Sequence, residues 1–250
     1  MTALRIERDA DVLHVAMARP ERRNAFDAAL IDELAAAFAD VGDVRAVVLS
    51  GDGPSFSAGA DIEWMRSSVD LSYDENVADA LRLRAMLDAI DSCAAPVVGR
   101  VQGHALGGGC GLVACCDIVI AEPTTQFAFS EVKLGIVPAV ISPFALAKIG
   151  TSAARRYFVT GERFSPDDAL RIGLIHGVTD DLDGTVERVV RELLSAGPSA
   201  ARAAKELARE PQPAEETARR IAAHRTSPEG QEGLRAFLEK RSPTWRSSGS

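Results

Sequence analysis

Three short apolar runs, Ala46 to Leu49, Val97 to Val101 and Ile118 to Ala121, are separated by stretches whose apolar spacing is helical. Such runs suit strands covered on both faces, and parallel neighbours need a helical crossover between them. The pattern predicts an α/β core of stacked β-β-α units. Residues 3 to 17 add a hairpin, with Leu4 and Ile6 before a turn around Arg8 to Asp11 and Val12, Val15 and Met17 after it. Helices are expected over Phe26 to Val41, where Leu30, Leu34, Phe38 and Val41 share a face, and over Asn76 to Ile90, where Ala80, Leu83, Leu87 and Ile90 do. A further helix starts at Gly111, and a strand covers Gln126 to Ser130. Beyond about Val140 the signals are almost all helical, through segments ending with Ala214 to Glu239. There Pro228, Gly230 and Gly233 should divide the segment into two helices. The polar tail SPTWRSSGS is expected to be mobile.

The 250 residues suit one large domain or a domain with an appendage. A net charge of −8 and a pI near 5.1 oppose a nucleic-acid or anionic-membrane surface and favour a small-molecule partner. The four cysteines, Cys93, Cys110, Cys115 and Cys116, are too clustered to staple a chain of this size, which points to a reducing compartment. The first residues, MTALRIERDA, lack the apolar stretch of a signal peptide, and no run of about 18 uncharged apolar residues follows. A cytoplasmic location is expected.

Three segments could carry chemistry. GHALGGGCG, residues 103–111, follows a buried strand and precedes an apolar helical stretch. Glycines there allow a ligand to approach the backbone, and a helix start offers free N–H donors to negative charge; tight strand–helix packing is the alternative. SAGAD, residues 57–61, is a second loop able to aim an N–H at the same oxygen, as an enolate or thioester oxyanion requires. Glu131, between FAFS and VKLGIVP, would have its pKa raised by desolvation and could move a proton near neutral pH, unless it is a surface glutamate at a strand end. Gly109, Gly111 and Ala114 also satisfy G-x-G-x-x-A, but the preceding strand ends too early for a dinucleotide fingerprint, and SAGAD stays unexplained. Adjacent Cys115 and Cys116 read as packing, and His104 as a residue that orients backbone.

RPERRNAF, FSAGADI, GHALGGGCGLVACCDIVIA, FAFSEVKLGIVP and GERFSPDDALRIGLI, in that order, resemble the crotonase, or enoyl-CoA hydratase/isomerase, superfamily. The resemblance implies a crotonase-like spiral of β-β-α units over residues 1–195. Residues 196–250 then form a helical region that mediates a homotrimer or a pair of trimers. It implies an acyl-CoA thioester substrate, with coenzyme A part of that substrate and no metal or redox cofactor. Carried over by position, the oxyanion donors are the N–H groups of Ala60 and Gly108, and Glu131 is the catalytic carboxyl. Arg22, Asn24 and Ala25 match the segment that receives the CoA moiety, while Ala58, Asp61, Ile62, Gly107 and Gly111 complete the substrate site. Two departures stand out. Glu63 occupies a position where many members carry a CoA-binding lysine, and Gly111 replaces one of the two glutamates of the usual hydratase. GGGxG with SEVKLGIVPAVISPF is similar to hydratases acting on branched glutaconyl-CoA esters such as methylglutaconyl-CoA, which implies addition of water across the conjugated double bond of an enoyl-CoA with a branched or carboxylated acyl chain. A single-glutamate isomerase or a non-catalytic acyl-CoA-binding homologue are the other readings.

Overall fold

The computed structural model describes residues 2–209 and 211–246. The chain opens with β1 (Leu4–Asp9) and β2 (Val12–Met17), an antiparallel hairpin whose tight turn holds Ala10 at φ +47°. β1 is the edge strand, so Ile6, expected on the covered face, is half exposed, while Leu4 is buried. Next come α1 (Ala28–Ala39), β3 (Ala46–Gly51), α2 (Ile62–Ser68) and α3 (Tyr73–Asp91). Asp27 caps α1 by accepting the Leu30 N–H, which leaves Phe26 outside the helix in which it was expected. The chain continues through β4 (Val97–Val101), β5 (His104–Leu106), α4 (Gly108–Cys115), β6 (Ile118–Ala121) and β7 (Gln126–Ala128). It ends with α5 (Ser142–Thr160), α6 (Pro166–Arg171), the two-residue β8 (Gly177–Val178), α7 (Leu182–Ser195), α8 (Pro198–Leu207), α9 (Ala214–Thr226) and α10 (Pro228–Leu238). Gly150, non-helical at φ +66°, kinks α5.

The large sheet runs β1-β2-β3-β4-β6-β8 and is parallel beyond the first pair. A smaller sheet pairs β5 with β7, and single bridges extend it: Ser57 to Ala105 on one side, Phe127 to Phe164 on the other. Each turn of the spiral thus gives one strand to the large sheet, a short extended piece to the small one, and then a helix. This is the crotonase-like α/β architecture. Valines and leucines of β3 and β4 are covered on both faces, because α7 packs Leu182 and Val186 against Val12, Val48, Val98 and Ile120, while the main core lies on the opposite side.

α8 is tied back to the spiral. Lys205 Nζ sits 2.7 Å from Asp117 and donates to the Ala95 carbonyl, and Arg202 donates to Val44 O. The C-terminal segment does divide into two helices at Pro228, the first residue of α10, with Ser227 as its cap. Gly230 and Gly233 lie inside α10, where a Cβ would run into His224 O or sit 3.0 Å from the Trp245 ring. The tail is anchored as far as it is described: Trp245 Nε1 donates to Ser195 O and Arg45 donates to Trp245 O. Residues 247–250 of that tail lie outside the described residues.

Candidate active site

The two glycine-bearing loops are zipped together. Ser57 N–H donates to His104 O at 2.9 Å and Leu106 N–H donates to Ser57 O at 3.0 Å, so residues 57–61 run beside the start of α4. The gap is narrower than a methyl group: a Cβ on Gly59 would lie 2.7 Å from Leu106 O, and one on Gly109 2.7 Å from Ser57 O. Gly107, at φ +50° and ψ −119°, makes the turn that an L side chain would resist. α4 starts at Gly108, earlier than the periodicity suggests, so Gly108 contributes the first N–H of the helix.

Phe26 orients the second donor. Its N–H donates to Gly59 O at 2.7 Å and its carbonyl accepts the Asp61 N–H at 2.8 Å. A parallel bridge of this kind uses the peptide groups on either side of Ala60 and leaves the Ala60 N–H facing away from Phe26. Neither Ala60 nor Gly108 donates its N–H to another group among the described residues. Both residues line one pocket of about 430 Å³, together with Ala58, Gly107, Ser130 and Glu131. Two unpaired donors lining one pocket, one of them at a helix start, suit an oxygen that gains charge during reaction.

Glu131 opens a short 3₁₀ turn directly after β7 and the Phe129 anchor. Its Oε2 is buried without a hydrogen-bond partner, and its Oε1 lies 3.4 Å from where a Cβ on Gly107 would be. Burial pushes this carboxyl above the ordinary glutamate range, only partly offset by its own backbone N–H. A carboxyl with one buried, unpartnered oxygen beside two free N–H donors fits proton transfer better than a surface strand end does.

Gly111 does not line the pocket, contrary to the expectation from sequence. A Cβ there would meet Ile141 Cγ2 at 2.5 Å and Leu87 Cδ2 at 3.6 Å, so apolar side chains occupy the space that a second glutamate would need. Overpacking of this kind costs about 1–3 kcal/mol before any charge is buried. Asn24 is also fully buried: it accepts the Arg19 N–H and donates to Asp52 O and Ser55 O, so it braces the loops and touches no ligand space.

A neighbouring groove is lined by Arg22, Ala25, Asp61 and Ile62, with Ala58 and Ala60 shared between the two pockets. Asp61 is buried and caps α2. Burial alone would raise its pKa, but the Glu63 N–H and Arg22 at 3.1 Å outweigh it and hold the carboxyl below its usual value. Glu63 sits 3.5 Å from Arg22, so the guanidinium is shared between two carboxylates. The acid at position 63 therefore draws on the same positive charge that a phosphate would use.

The four cysteines are buried. Desolvation pushes the Cys116 thiol up to about 12 and raises the other three, which leaves no thiolate nucleophile. His104 Nδ1 lies 3.1 Å from Ser55 Oγ and outside the pocket lining. Several wall residues escaped sequence reading: Phe26, Trp64, Met65, Asp79 and the 137–141 turn. The α3 set was visible in part, since Asn76, Asp79, Ala80 and Leu83 share a helical face, but periodicity does not separate a pocket wall from a core face.

Residues 7–248 match the sequence model of the enoyl-CoA hydratase/isomerase family. The chain belongs to that family. It is 31% identical to the crotonyl-CoA hydratase of Syntrophomonas wolfei, across 94% of this chain and 95% of that one. Among solved structures, an enoyl-CoA hydratase from Shewanella pealeana superposes with a TM-score of 0.92 at 39% identity, over 97% of this chain and 96% of the other. Pseudomonas aeruginosa AtuE superposes with a TM-score of 0.93 at 34% identity, over 97% and 99%. As a member of the hydratase/isomerase family the protein is an enzyme, and Gly111 stands where the resemblance leads one to expect a second glutamate. Among its described residues no helix is long and apolar enough to cross a membrane.

Proposed function

We propose that this enzyme hydrates the conjugated double bond of an enoyl-CoA thioester, with a branched acyl chain. The observation that supports it most directly is the Glu131 carboxyl, with its Oε2 buried and unpartnered, sharing a pocket with the Ala60 and Gly108 N–H groups. The thioester oxygen accepts both N–H bonds, and these strengthen as addition at C3 moves charge onto that oxygen. Protonated Glu131 gives its proton to C2, the water oxygen bonds to C3, and the proton released by the water returns to the same carboxyl. Atoms balance, and one carboxyl suffices. Arg22 meets the CoA phosphates in the adjoining groove, and Asp61 and Asn24 hold the loops in place. The apolar lining, including Leu83, Val137 and Ile141, is wide enough for a branch.

Gly111 favours a second reading, a double-bond isomerase, because moving a double bond needs a single base that takes a proton from C2 and returns it at C4. A panel of straight-chain and branched enoyl-CoA esters separates the readings. Hydration removes the conjugated thioester absorbance, whereas isomerisation of a non-conjugated ester creates it. No loss of absorbance on any conjugated ester would overturn the hydratase reading.

The same proposal includes self-association as a homotrimer or a pair of trimers. Ile221 on α9 and Leu234, Phe237 and Leu238 on α10 are half or more exposed, an apolar set that a neighbouring copy would cover. Light scattering after size exclusion should give a mass near three or six chains; a stable particle of one 26.5 kDa chain would refute it.

A further inference from the structure

We infer that the acyl pocket selects uncharged acyl chains, and that Asp79 on α3 is the residue that turns away chains ending in a carboxylate. This deepens the acyl-CoA reading of the pocket, rests on it, and sets aside carboxylate-ended esters such as the methylglutaconyl-CoA that the sequence resemblance suggests. The residues lining the pocket include no lysine, arginine or histidine, but they include two carboxyl groups, Asp79 and Glu131, on different walls. A buried anion needs a counter-charge or several hydrogen-bond donors; no counter-charge lines this pocket, and two of its polar side chains are already engaged. Asn76, one turn before Asp79, gives its amide to Leu71 O at 3.1 Å and Ser72 O at 3.0 Å. Ser68 Oγ donates to Met65 O at 2.8 Å. The free backbone donors of Ala60 and Gly108 belong to the thioester oxygen. The Ser130 hydroxyl, adjacent to Glu131 itself, and the Trp64 Nε1–H remain, and both are neutral groups.

Asp79 is half-buried and makes no hydrogen bond or ion pair among the described residues. The nearest cation on its own helix, Arg82, is bonded to Asp32 on α1, and Arg84 lies over the Phe144 ring. Asp79 therefore presents its charge to the pocket with no bonded partner, offset only by its attraction to Arg82, which Asp32 holds. It lies eight residues before Leu87, which packs where a Cβ on Gly111 would project. At the helical rise this is about 12 Å along α3. A chain lying along that helix would bring a terminal carboxylate toward like charge in a partly desolvated space.

The test is calorimetric binding of two saturated, unreactive thioesters, 3-methylpentanoyl-CoA and its carboxylate-ended counterpart 3-methylglutaryl-CoA. The wild-type enzyme should bind the neutral ligand at least about tenfold more tightly. Asp79→Asn should shrink that ratio, and Asp79→Lys should invert it, since a partly exposed helix position tolerates either side chain. Equal or tighter binding of the carboxylate by the wild type, or a ratio that both variants leave alone, would overturn the inference. Failure of the hydratase reading looks different: both thioesters would bind with the stated preference while no enoyl-CoA was turned over.

Discussion

Glu131→Gln should lower turnover of the best enoyl-CoA ester by about 10²- to 10⁴-fold, the usual contribution of a positioned acid or base. The amide fills the same space and cannot pass a proton between water and C2. Two pH measurements separate chemistry from structural damage. Because burial raises the folded-state pKa of Glu131, and hydration begins from the protonated carboxyl, kcat/KM should be full below that pKa and fall as the pH rises through it. An isomerase working from the carboxylate would show the opposite limb. Stability follows the same linkage with a definite sign. A raised folded-state pKa means that the contribution of the carboxyl is fully present below its unfolded value and is lost as the pH rises through the folded one. Glutamine is neutral throughout, so the variant should match the wild type in acid and have the higher Tm near neutral pH. A Glu131→Gln enzyme within tenfold of wild-type activity would remove this residue from the chemistry.

Removing one oxyanion donor should cost about 10²- to 10³-fold in kcat, equivalent to about 2.7–4 kcal/mol. Proline at 108 looks from sequence like the natural test, but a Cβ there would sit 2.5 Å from Phe26 Cε2, and Phe26 also fixes the other donor loop. Damage at Gly108 would therefore spread to both donors. Ala60→Pro is cleaner. Position 60 already carries a Cβ, its N–H takes no part in the bridge to Phe26, and the preceding Gly59 tolerates the restriction that proline imposes. Its kcat should fall by the stated factor while affinity for a saturated acyl-CoA changes much less, because the lost bond is strongest in the transition state. A folded Ala60→Pro enzyme with wild-type kcat would show that the Ala60 N–H does not hold the developing charge.

Both experiments depend on relations that the sequence shows unequally. Glu131 was legible because an acid between two apolar runs has few places to sit that leave it fully hydrated. The paired loops were legible because SAGAD and GGG each interrupt an apolar pattern where a strand ends. Gly111 was legible only as an absence: the sequence records that a glutamate is missing, while the packing of Ile141 and Leu87 shows that the space is filled. Asn24 illustrates the reverse. Its place in RPERRNAF suggests ligand contact, yet all of its hydrogen bonds turn inward.

The sequence by itself determined the class of fold, the order of most strands and helices, the anionic character of the chain and the place of Glu131 between two apolar runs. Each of these depends on local composition or on a period of two or 3.6 residues, and such information is written along the chain. The tertiary structure alone decided which N–H groups stay unpaired, which side chains close the pocket and where Asp79 stands in relation to Glu131. Those are contacts between residues tens of positions apart, set by how the spiral turns stack. No local pattern encodes them, because the same helical face can cover a core at Leu87 and Ile90 and wall a cavity at Asp79 and Leu83.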